Sequence, residues 1–336
     1  MKLNVGIIGG AGYTGGELLR ILINHPFANV AFVHSKSHAG KPVWTTHTDL
    51  LGDTDLTFSG EINLTPALST NEAGESGENT GIDVLFLCSG HGASVTFMAE
   101  HEIPDDITVI DLSADFRDEH DDFVYGLPEL QRERIQEATR IANPGCFATS
   151  IQLALLPLAK AGKLTNDVQV SAITGSTGAG QALVPTTGFT WRNNNVSIYK
   201  AFTHQHLAEI RQSLTQLDPD FKHAINFVPY RGDFTRGIMA NVYTPFSGTQ
   251  QEADELYRAY YAAHPFTHVS DAPVDVKQVV NTNKCLLHLE VHDGQLLITS
   301  VIDNLTKGAS GHAVQNMNLV FGLPEDAGLR LKAVAF

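Results

Sequence analysis

The sequence predicts an α/β fold with two domains, the first built on a parallel sheet and the second on a different sheet, antiparallel and half exposed. The chain opens with a short apolar strand at 3–8, which runs through a glycine-rich turn into a helical pattern at 17–24. Further apolar strands are predicted at 30–34, 83–88 and 108–112. From 168 to 173 apolar and polar residues alternate, which is typical of a strand with one exposed face. A chain of 336 residues is long enough to bury two cores.

Composition and charge exclude several classes of protein. Hydrophobic residues make up 43% and charged residues 18% of the chain, as in folded globular proteins. The net charge is -15 and Lys and Arg form no cluster, which argues against a nucleic-acid-binding surface. Scattered cysteines indicate a reducing compartment rather than a disulfide framework. Because there is no signal peptide and no apolar run of about 18 residues, we expect a cytoplasmic protein without a membrane partner.

The glycine-rich turn predicts a Rossmann domain that binds a dinucleotide. Two overlapping spacings are present, G-x-G-x-x-G from Gly10 and G-x-x-G-x-x-G from Gly9. Glycines at such a turn allow the N–H groups at a helix N-terminus to approach a pyrophosphate. The residues expected to contact the cofactor here are Gly9, Gly12, Tyr13, Thr14 and Gly15.

The end of the second strand predicts which dinucleotide is bound. NAD-binding domains usually place an acidic residue there for the ribose hydroxyls, whereas this chain has Ser35, Lys36 and Ser37. Hydroxyl groups and a cation suit a ribose 2′-phosphate, so NADP(H) is favoured; the other interpretation is a solvated loop. A stretch rich in Gly, Asn, Ser and Glu at 71–81 predicts a surface loop without an assigned function.

Polar residues follow the next two strands, where open α/β sheets bind ligands. Ser89 and His91 come directly after the strand at 83–88 and are expected near the cofactor, while Cys88 is expected to be a small buried hydrophobe. Arg117 follows the strand at 108–112. Its guanidinium could bind a substrate carboxylate, or it could form a salt bridge with Asp115 or with a distant acid.

The residues at 142–149 form a turn that carries the candidate nucleophile, Cys146. Pro144 restricts the backbone and Gly145 permits a close approach, so Cys146 stands at the entrance to a helix predicted at 147–161. A helix N-terminus favours a thiolate over a thiol. The alternative is a buried structural cysteine.

Two later stretches carry further candidate site residues. The small residues at 174–181, with Ser176, Thr177 and Gly178, could form an amide nest for a phosphate or oxyanion, or only a flexible turn. A second helix entrance holds two histidines, His204 and His206, and helical spacing puts His206 and Glu209 on one face. These ligands are too sparse for a metal site.

Several motifs together resemble one family along nearly the whole chain. They are 9–16, 111–117, 142–149, 175–181, 203–210, 229–232 and 303–311. In order and residue type they resemble N-acetyl-gamma-glutamyl-phosphate reductase, type 1, within the group that includes aspartate-semialdehyde dehydrogenase. The resemblance implies a Rossmann domain at 1–145 plus 306–336 and a mixed-sheet catalytic and oligomerisation domain at 146–305. It also implies a homo-oligomer, with a C-terminal helix near 312–319 covering the nucleotide domain.

The resemblance assigns roles to individual residues. Cys146 would attack an acyl phosphate, phosphate would leave, and the thioester would accept hydride from NADPH to give the semialdehyde. His204, His206 and Glu209 would supply the acid/base side, with His206 favoured as the proton donor. Gly308 and Asn304 would contribute to the cofactor site, and Asn143 to the substrate site.

Two positions depart from the family pattern. Gln205 and Ala208 stand where the family often has Arg and Pro, which leaves the acyl group open between N-acetyl and N-succinyl. The alternatives are an enzyme like aspartate-semialdehyde dehydrogenase and a non-catalytic NADP-binding sensor. A hairpin is predicted from strands at 286–291 and 295–301 that meet at Asp293 and Gly294.

Overall fold

A computed structural model describes residues 2–65 and 81–335. The chain divides into two compact units, which are described separately below. The first unit comprises Met1–Gly126, Glu133–Asn143 and Ala313–Leu329, and the second comprises Leu127–Arg132, Pro144–His312 and Arg330–Phe336. The surface loop predicted at 71–81 lies outside the described residues except for Gly81.

The described residues of the first unit form a seven-stranded parallel sheet, as the sequence predicts. Its strands are β1 (Leu3–Ile8), β2 (Ala28–His34), β3 (Phe58–Ser59), β4 (Val84–Leu87), β5 (Thr108–Asp111), β6 (Val124–Tyr125) and β7 (Arg140–Ala142). The spatial order is β3-β2-β1-β4-β5-β7-β6. The order reverses between β1 and β4, and such a switch point forms a crevice for ligands at the carboxyl ends of the strands.

Helix α1 (Tyr13–Leu22) begins earlier than the predicted 17–24. Gly15, assigned from sequence to the turn, lies inside the helix, where a Cβ atom would come within 2.6 Å of the Gly10 Cα. The glycine therefore allows the helix to pack closely against the turn after β1. Helices α2 (Ala93–Glu100) and α3 (Pro128–Gln136) lie between β4 and β7 in sequence, and α3 is kinked at Gln131.

The second unit contains a seven-stranded mixed sheet among the described residues. Its strands are β8 (Val168–Thr174), β9 (Ser197–Ile198), β10 (Ile225–Arg231), β11 (Ile238–Pro245), β12 (Thr267–Ser270), β13 (Cys285–His292) and β14 (Gln295–Ile302), in the order β12-β13-β14-β11-β8-β10-β9. The expectation of an antiparallel sheet is wrong in part, because β8 pairs antiparallel with β11 but parallel with β10. Strand β8 alternates buried and half-buried residues, as predicted.

The hairpin of β13 and β14 confirms its sequence prediction, since Asp293 and Gly294 both have positive φ (46° and 77°) at the turn. The helices of this part of the chain are α4 (Cys146–Lys160), α5 (Phe189–Arg192), α6 (His206–Leu217) and α7 (Gln250–Tyr261). A π-helical turn, Thr306–Ser310, leads into α8 (Gly311–Val320).

The π-helical turn and the first residues of α8, up to His312, belong to the second unit. The chain then contributes Ala313–Leu329 to the first unit and Arg330–Phe336 to the second. None of the helices in the described ranges is both long and apolar enough to cross a bilayer.

Candidate active site

Cys146 is the first residue of α4, and the backbone around it is tied to side chains from α6. The preceding residue, Gly145, is extended, and its N–H donates to Glu209 Oε2 at 2.9 Å. In the first turn of α4 the N–H of Ala148 donates to His206 Nδ1 at 3.3 Å. A carboxylate and an imidazole thus occupy donors that a helix N-terminus otherwise leaves without partners. The half-buried thiol is held at this end of the helix dipole.

The two histidines and the glutamate of the predicted acid/base group lie together at the start of α6. His204, His206 and Glu209 are 5%, 6% and 6% exposed. His206 Nε2 is 3.9 Å from Glu209 Oε1, and the backbone N–H of His206 donates to His204 Nδ1 at 3.2 Å. The rings of Phe147 and Phe227 pack against His204, with centroids 5.6 and 5.4 Å away. The site combines a cysteine, two imidazoles and a carboxylate in an aromatic setting.

Burial, together with the positive charges of Lys200 and Arg231, lowers the pKa of His204 to about 4. His204 is therefore neutral near pH 7. For His206, the hydrogen bond from Ala148 to Nδ1 assigns the ring proton of a neutral imidazole to Nε2. The ring then presents a proton rather than a lone pair at Nε2.

Sequence reasoning gave no role to Tyr199 and Arg231, which belong to the same cluster. The Tyr199 ring lies 5.8 Å from His204, and the Arg231 guanidinium carbon lies 4.4 Å from the centroid of the Tyr199 ring. Burial and the negative charge of a Cys146 thiolate raise the pKa of Tyr199 to about 12, so the phenol keeps its proton. Arg231 belongs to a motif that carried the resemblance, and that was the available signal.

The loop after β8 does not form the amide nest that its small residues permitted. The N–H groups of Ser176, Thr177 and Gly178 donate at 2.8, 3.1 and 3.3 Å to carbonyl groups of the same unit. An amide that already donates to a carbonyl has no proton left for an anion. The nest interpretation is therefore wrong for these three amides.

Asn304 and Gly308 have structural surroundings within the second unit. Asn304 is buried, accepts a hydrogen bond from the Gly237 N–H at 2.7 Å and donates to Thr177 Oγ1 at 3.0 Å. This carboxamide braces the loop after β8. Gly308 lies against Cys146, because a Cβ atom there would come within 2.8 Å of the Cys146 Cβ.

The glycine turn of the first unit has the features of a dinucleotide cradle. Gly9 has φ 76° and packs against the Cys88 carbonyl, where a Cβ atom would lie 2.9 Å away. A Cβ at Gly12 would meet only the Gly9 oxygen at 3.6 Å, so the protein itself leaves space there. Gly12, the residue before α1, is extended, and within the described residues no side chain caps this helix. An uncapped helix N-terminus with room in front of it fits a pyrophosphate. Tyr13 and Thr14 form the first turn of α1.

The residues after β2 gather hydroxyl groups around one imidazole. Ser35 is buried at the start of a short 3-10 turn, while Lys36 and Ser37 are exposed. Ser37 Oγ lies 2.9 Å and Ser35 Oγ 3.3 Å from the Nδ1 of His38. His38 is an additional polar group at this position that sequence reasoning did not single out.

The residues after β4 and β5 are held by carboxylates. Asp111 is buried and accepts hydrogen bonds from the hydroxyls of Ser94 and Ser113, each at 2.6 Å. Asp115 accepts from the N–H of Gly92 at 2.7 Å, which places it at the N-terminus of α2. Ser89 and the exposed His91 lie between β4 and α2. The Nδ1 of His91 accepts a hydrogen bond from the Ala114 N–H at 3.0 Å, so the Nε2 atom is not used in this contact.

Arg117 supports the strand ends rather than standing in solution. Its Nε donates to the Asn143 carbonyl at 2.9 Å and its Nη2 to the Leu112 carbonyl at 3.2 Å. Asn143 is itself buried, and its N–H donates to the Asp111 carbonyl at 2.8 Å. This geometry gives both residues a part in fixing the backbone that leads to Cys146.

The remaining cysteines lack the setting of a nucleophile. Burial raises the thiol pKa values of Cys88 and Cys285 to about 12, so both stay protonated. Cys88 is half-buried after β4 and Cys285 is fully buried in β13. Within the part of the chain that the structure describes, no group of three or more His, Cys, Asp or Glu could hold a metal ion.

Two family models match the chain, one in each part. Residues 4–138 match the semialdehyde dehydrogenase NAD-binding domain, and residues 146–304 match the semialdehyde dehydrogenase dimerisation domain. Among solved structures, aspartate semialdehyde dehydrogenase II of Vibrio cholerae has a TM-score of 0.71 at 18% identity, covering 96% of this chain and 99% of that one. The enzyme of Candida albicans, solved with NADP, has a TM-score of 0.69 at 13% identity, covering 96% and 99%. Fold and family models define an oxidoreductase of the semialdehyde dehydrogenase class, with a domain for a nicotinamide dinucleotide.

Other proteins are much more similar to this chain in sequence than these solved structures are. The N-acetyl-gamma-glutamyl-phosphate reductase of Bacteroides thetaiotaomicron is 53% identical over 337 residues, covering 99% of this chain and 100% of the relative. Proteins of the same name from Christiangramia forsetii and Flavobacterium johnsoniae are 54% and 51% identical over 336 and 340 residues, with the same coverage. The chain belongs to the N-acetyl-gamma-glutamyl-phosphate reductase family.

Proposed function

We propose that this enzyme reduces N-acetyl-gamma-glutamyl phosphate to N-acetylglutamate 5-semialdehyde with NADPH and releases phosphate, a step of arginine biosynthesis. The observation that carries the proposal is Cys146 at the start of α4, with His206 bonded to the first turn of the same helix. The relatives that share half of the sequence supply the substrate by their name. We assign the cofactor to the first predicted domain and the substrate to the second.

The residues around Cys146 suit acyl transfer followed by reduction. The Cys146 sulfur attacks the acyl carbon, a C–S bond forms, and the C–O bond to phosphate breaks with the electron pair leaving on phosphate. When bound, NADPH supplies the hydride that reduces the thioester. His206 donates its Nε2 proton to the oxygen that becomes negative. When the C–S bond then breaks with its electron pair on sulfur, the hydroxyl returns that proton to His206, and the thiolate and the free aldehyde are formed. His204 acts in positioning, since its Nδ1 accepts from the His206 backbone.

Two observations support the choice of cofactor and an anchor for the substrate. The hydroxyls of Ser35 and Ser37, with Lys36 and His38, suit a 2′-phosphate, and this supports NADPH. Arg231 lies in the cluster around His204, and its Nε is buried without a hydrogen-bond partner in the described part of the chain. A guanidinium in this state suits a substrate carboxylate or the phosphate.

The surroundings of position 205 support one of the two candidate N-acyl groups of the substrate. Gln205 is exposed, and its Oε1 accepts a hydrogen bond from Lys200 Nζ at 3.0 Å. Ala208 is exposed as well. Because the residue that departs from the family pattern faces solvent and pairs locally, the N-acetyl substrate is favoured over N-succinyl.

A second proposal concerns assembly and location. The match of 146–304 to a dimerisation domain supports a homo-oligomer formed through the second unit. We also assign the enzyme to the cytoplasm, where its thiol would stay reduced.

The proposed reaction is tested in reverse, by phosphate-dependent reduction of NADP with N-acetylglutamate semialdehyde. We expect Cys146→Ser to lower kcat by at least about 1,000-fold, because a hydroxyl is a far weaker nucleophile than a thiolate. NADPH binding, measured by fluorescence titration, should remain at the level of the unmodified enzyme.

The same assay decides between the substrates. N-acetylglutamate semialdehyde, N-succinylglutamate semialdehyde and aspartate semialdehyde are compared by kcat/KM, and the N-acetyl compound should be preferred. A higher value for the N-succinyl compound would overturn the acyl assignment alone. Full activity in Cys146→Ser would overturn the mechanism, and no activity with any of the three would favour the sensor.

A further inference from the structure

A fully buried ion pair in the second unit has no part in the proposed reaction. Lys307 Nζ lies 2.9 Å from Glu129 Oε1, and both side chains are 0% exposed. The same carboxylate oxygen accepts a hydrogen bond from Thr267 Oγ1 at 2.9 Å, and the ammonium lies 5.9 Å from the centroid of the Phe266 ring. Removing two charges from water is costly, and the attraction between them only partly offsets that cost, so burial of the pair is weak evidence that its purpose is stability.

The pair ties a distant segment to the π-helical turn that contains Lys307. Glu129 belongs to Leu127–Arg132, which clusters with the second unit although most of its neighbours in sequence do not. Asp303 holds the other side of the turn, since its Oδ1 accepts from the N–H of Thr306 at 3.1 Å and its carboxylate pairs with Arg236 at 2.9 Å. Single π-turns of this kind occur frequently at functional sites.

The residue after Lys307 touches the nucleophile. A Cβ atom at Gly308 would lie 2.8 Å from the Cβ and 3.2 Å from the Cα of Cys146, so the two backbones are in direct contact. The Gly308 N–H donates to the Asp303 carbonyl at 2.8 Å. A shift of the π-turn would therefore move the surface on which Cys146 rests.

We propose that the Glu129–Lys307 pair is a positioning device, which holds Gly308 against Cys146 and thereby sets the reactivity of the thiol. Neither charged residue touches the reacting atoms; both act through the turn. The inference rests on the proposed role of Cys146 as the nucleophile. It predicts that removal of the ion pair lowers both the reactivity of the Cys146 thiol and kcat, and leaves the affinity for NADPH unchanged.

The first test changes the contact itself. Gly308→Ala forces a shift at Cys146, and we expect kcat and the rate of Cys146 alkylation by iodoacetamide to fall about 10- to 100-fold, as small misplacements at reacting centres do. Peptide mass spectrometry separates Cys146 from Cys88 and Cys285. If Gly308→Ala leaves the alkylation rate and kcat unchanged, the contact between Gly308 and Cys146 does not control the thiol, and the inference is wrong.

The second test changes the pair. Glu129→Gln and Lys307→Met each leave a lone buried charge, so the double variant is included because it removes both charges and relieves that penalty. We expect its melting temperature to recover towards that of the unmodified enzyme while kcat and Cys146 alkylation stay low. Asp271→Asn, which neutralises the exposed pair with Arg258, is the matched control and should leave both rates unchanged.

The outcomes separate this inference from the proposed function. If the unmodified enzyme is active and alkylated at Cys146, but the double variant is equally active and equally reactive, the pair is only structural and the inference is wrong. If Cys146→Ser is active, the proposed function is wrong. Should the single variants not fold, the double variant and Gly308→Ala still decide the question.

Discussion

In the proposed function, the preference for NADPH depends on the side chain of Ser35. It is buried after β2, and its hydroxyl faces Ser37 and His38. Ser35→Asp places a carboxylate where the proposed 2′-phosphate lies, so we expect kcat/KM for NADPH relative to NADH to fall at least about tenfold, or 1.4 kcal/mol. Steady-state kinetics with both cofactors measure the ratio. Asn29→Asp adds the same charge at an exposed position near the other end of β2 and should leave the ratio unchanged. Equal kcat/KM for the two cofactors in the unmodified enzyme would contradict the assignment.

His204 links stability to pH. Its pKa is lowered from 6.5 to about 4 in the folded protein, first by burial. The unfolded chain takes up a proton near pH 6.5 and the folded chain only near pH 4, so the contribution of His204 is complete above pH 6.5 and is lost between pH 6.5 and pH 4. The free energy of unfolding, from urea titrations, should therefore fall over this window by up to about 3 kcal/mol more than in His204→Phe. Parallel curves for the two proteins would show that the histidine does not titrate in this way.

At the scale of elements, α4 and α6 are joined at their N-termini by the Glu209 carboxylate. It accepts a hydrogen bond from the N–H of Gly145, the residue before the proposed nucleophile, and lies 3.9 Å from His206 Nε2. Glu209→Ala leaves that buried N–H without a partner, so we expect a loss of about 1–3 kcal/mol in the free energy of unfolding together with lower kcat. Glu209→Gln keeps an oxygen acceptor and should lose less. Denaturant titrations of both variants measure the difference, and equal stability of the two would show that the hydrogen bond is not the cause.

At the scale of the whole molecule, one segment of the second unit exposes an unusual number of large apolar side chains. They are Leu183, Val184, Phe189, Trp191, Val196, Ile198 and Phe202, with Leu183 98% and Phe189 79% exposed. Exposed apolar groups that are close in sequence mark interaction surfaces. The segment lies within the range that matches a dimerisation domain, and this supports contact with a second copy of the chain.

The assembly prediction is tested by light scattering coupled to size-exclusion chromatography. The double variant Phe189→Ser/Trp191→Ser should have a lower molar mass than the unmodified protein at the same concentration, because an interface loses its aromatic anchors. Leu51→Ser removes a similarly exposed apolar side chain from the first unit and should not change the mass. An unmodified protein that is already monomeric would contradict the oligomer itself.

Features that depend on neighbours along the chain could be predicted from the sequence. Apolar runs predicted β1, β2, β4 and β5 of the parallel sheet, but not the short strands β3, β6 and β7. Asp293 and Gly294 predicted the hairpin turn, and Pro144 and Gly145 predicted a helix entrance at Cys146. These features follow from periodicity, backbone conformation and capping, which a short window of residues contains. The resemblance of whole motifs then indicated the family.

Which side chains meet, and which backbone N–H groups already donate a hydrogen bond, became known only from the folded structure. Glu129 and Lys307 are separated by 178 residues and still form one ion pair, and Gly308 reaches Cys146 only because the π-turn is folded beside α4. The amides after β8 looked available in sequence but donate to carbonyls of the same unit. A long-range contact depends on the path of the chain between its partners, and no local sequence pattern contains that path. For this reason the helix entrance at Cys146 could be predicted, whereas its contact with Gly308 and the Glu129–Lys307 pair could not.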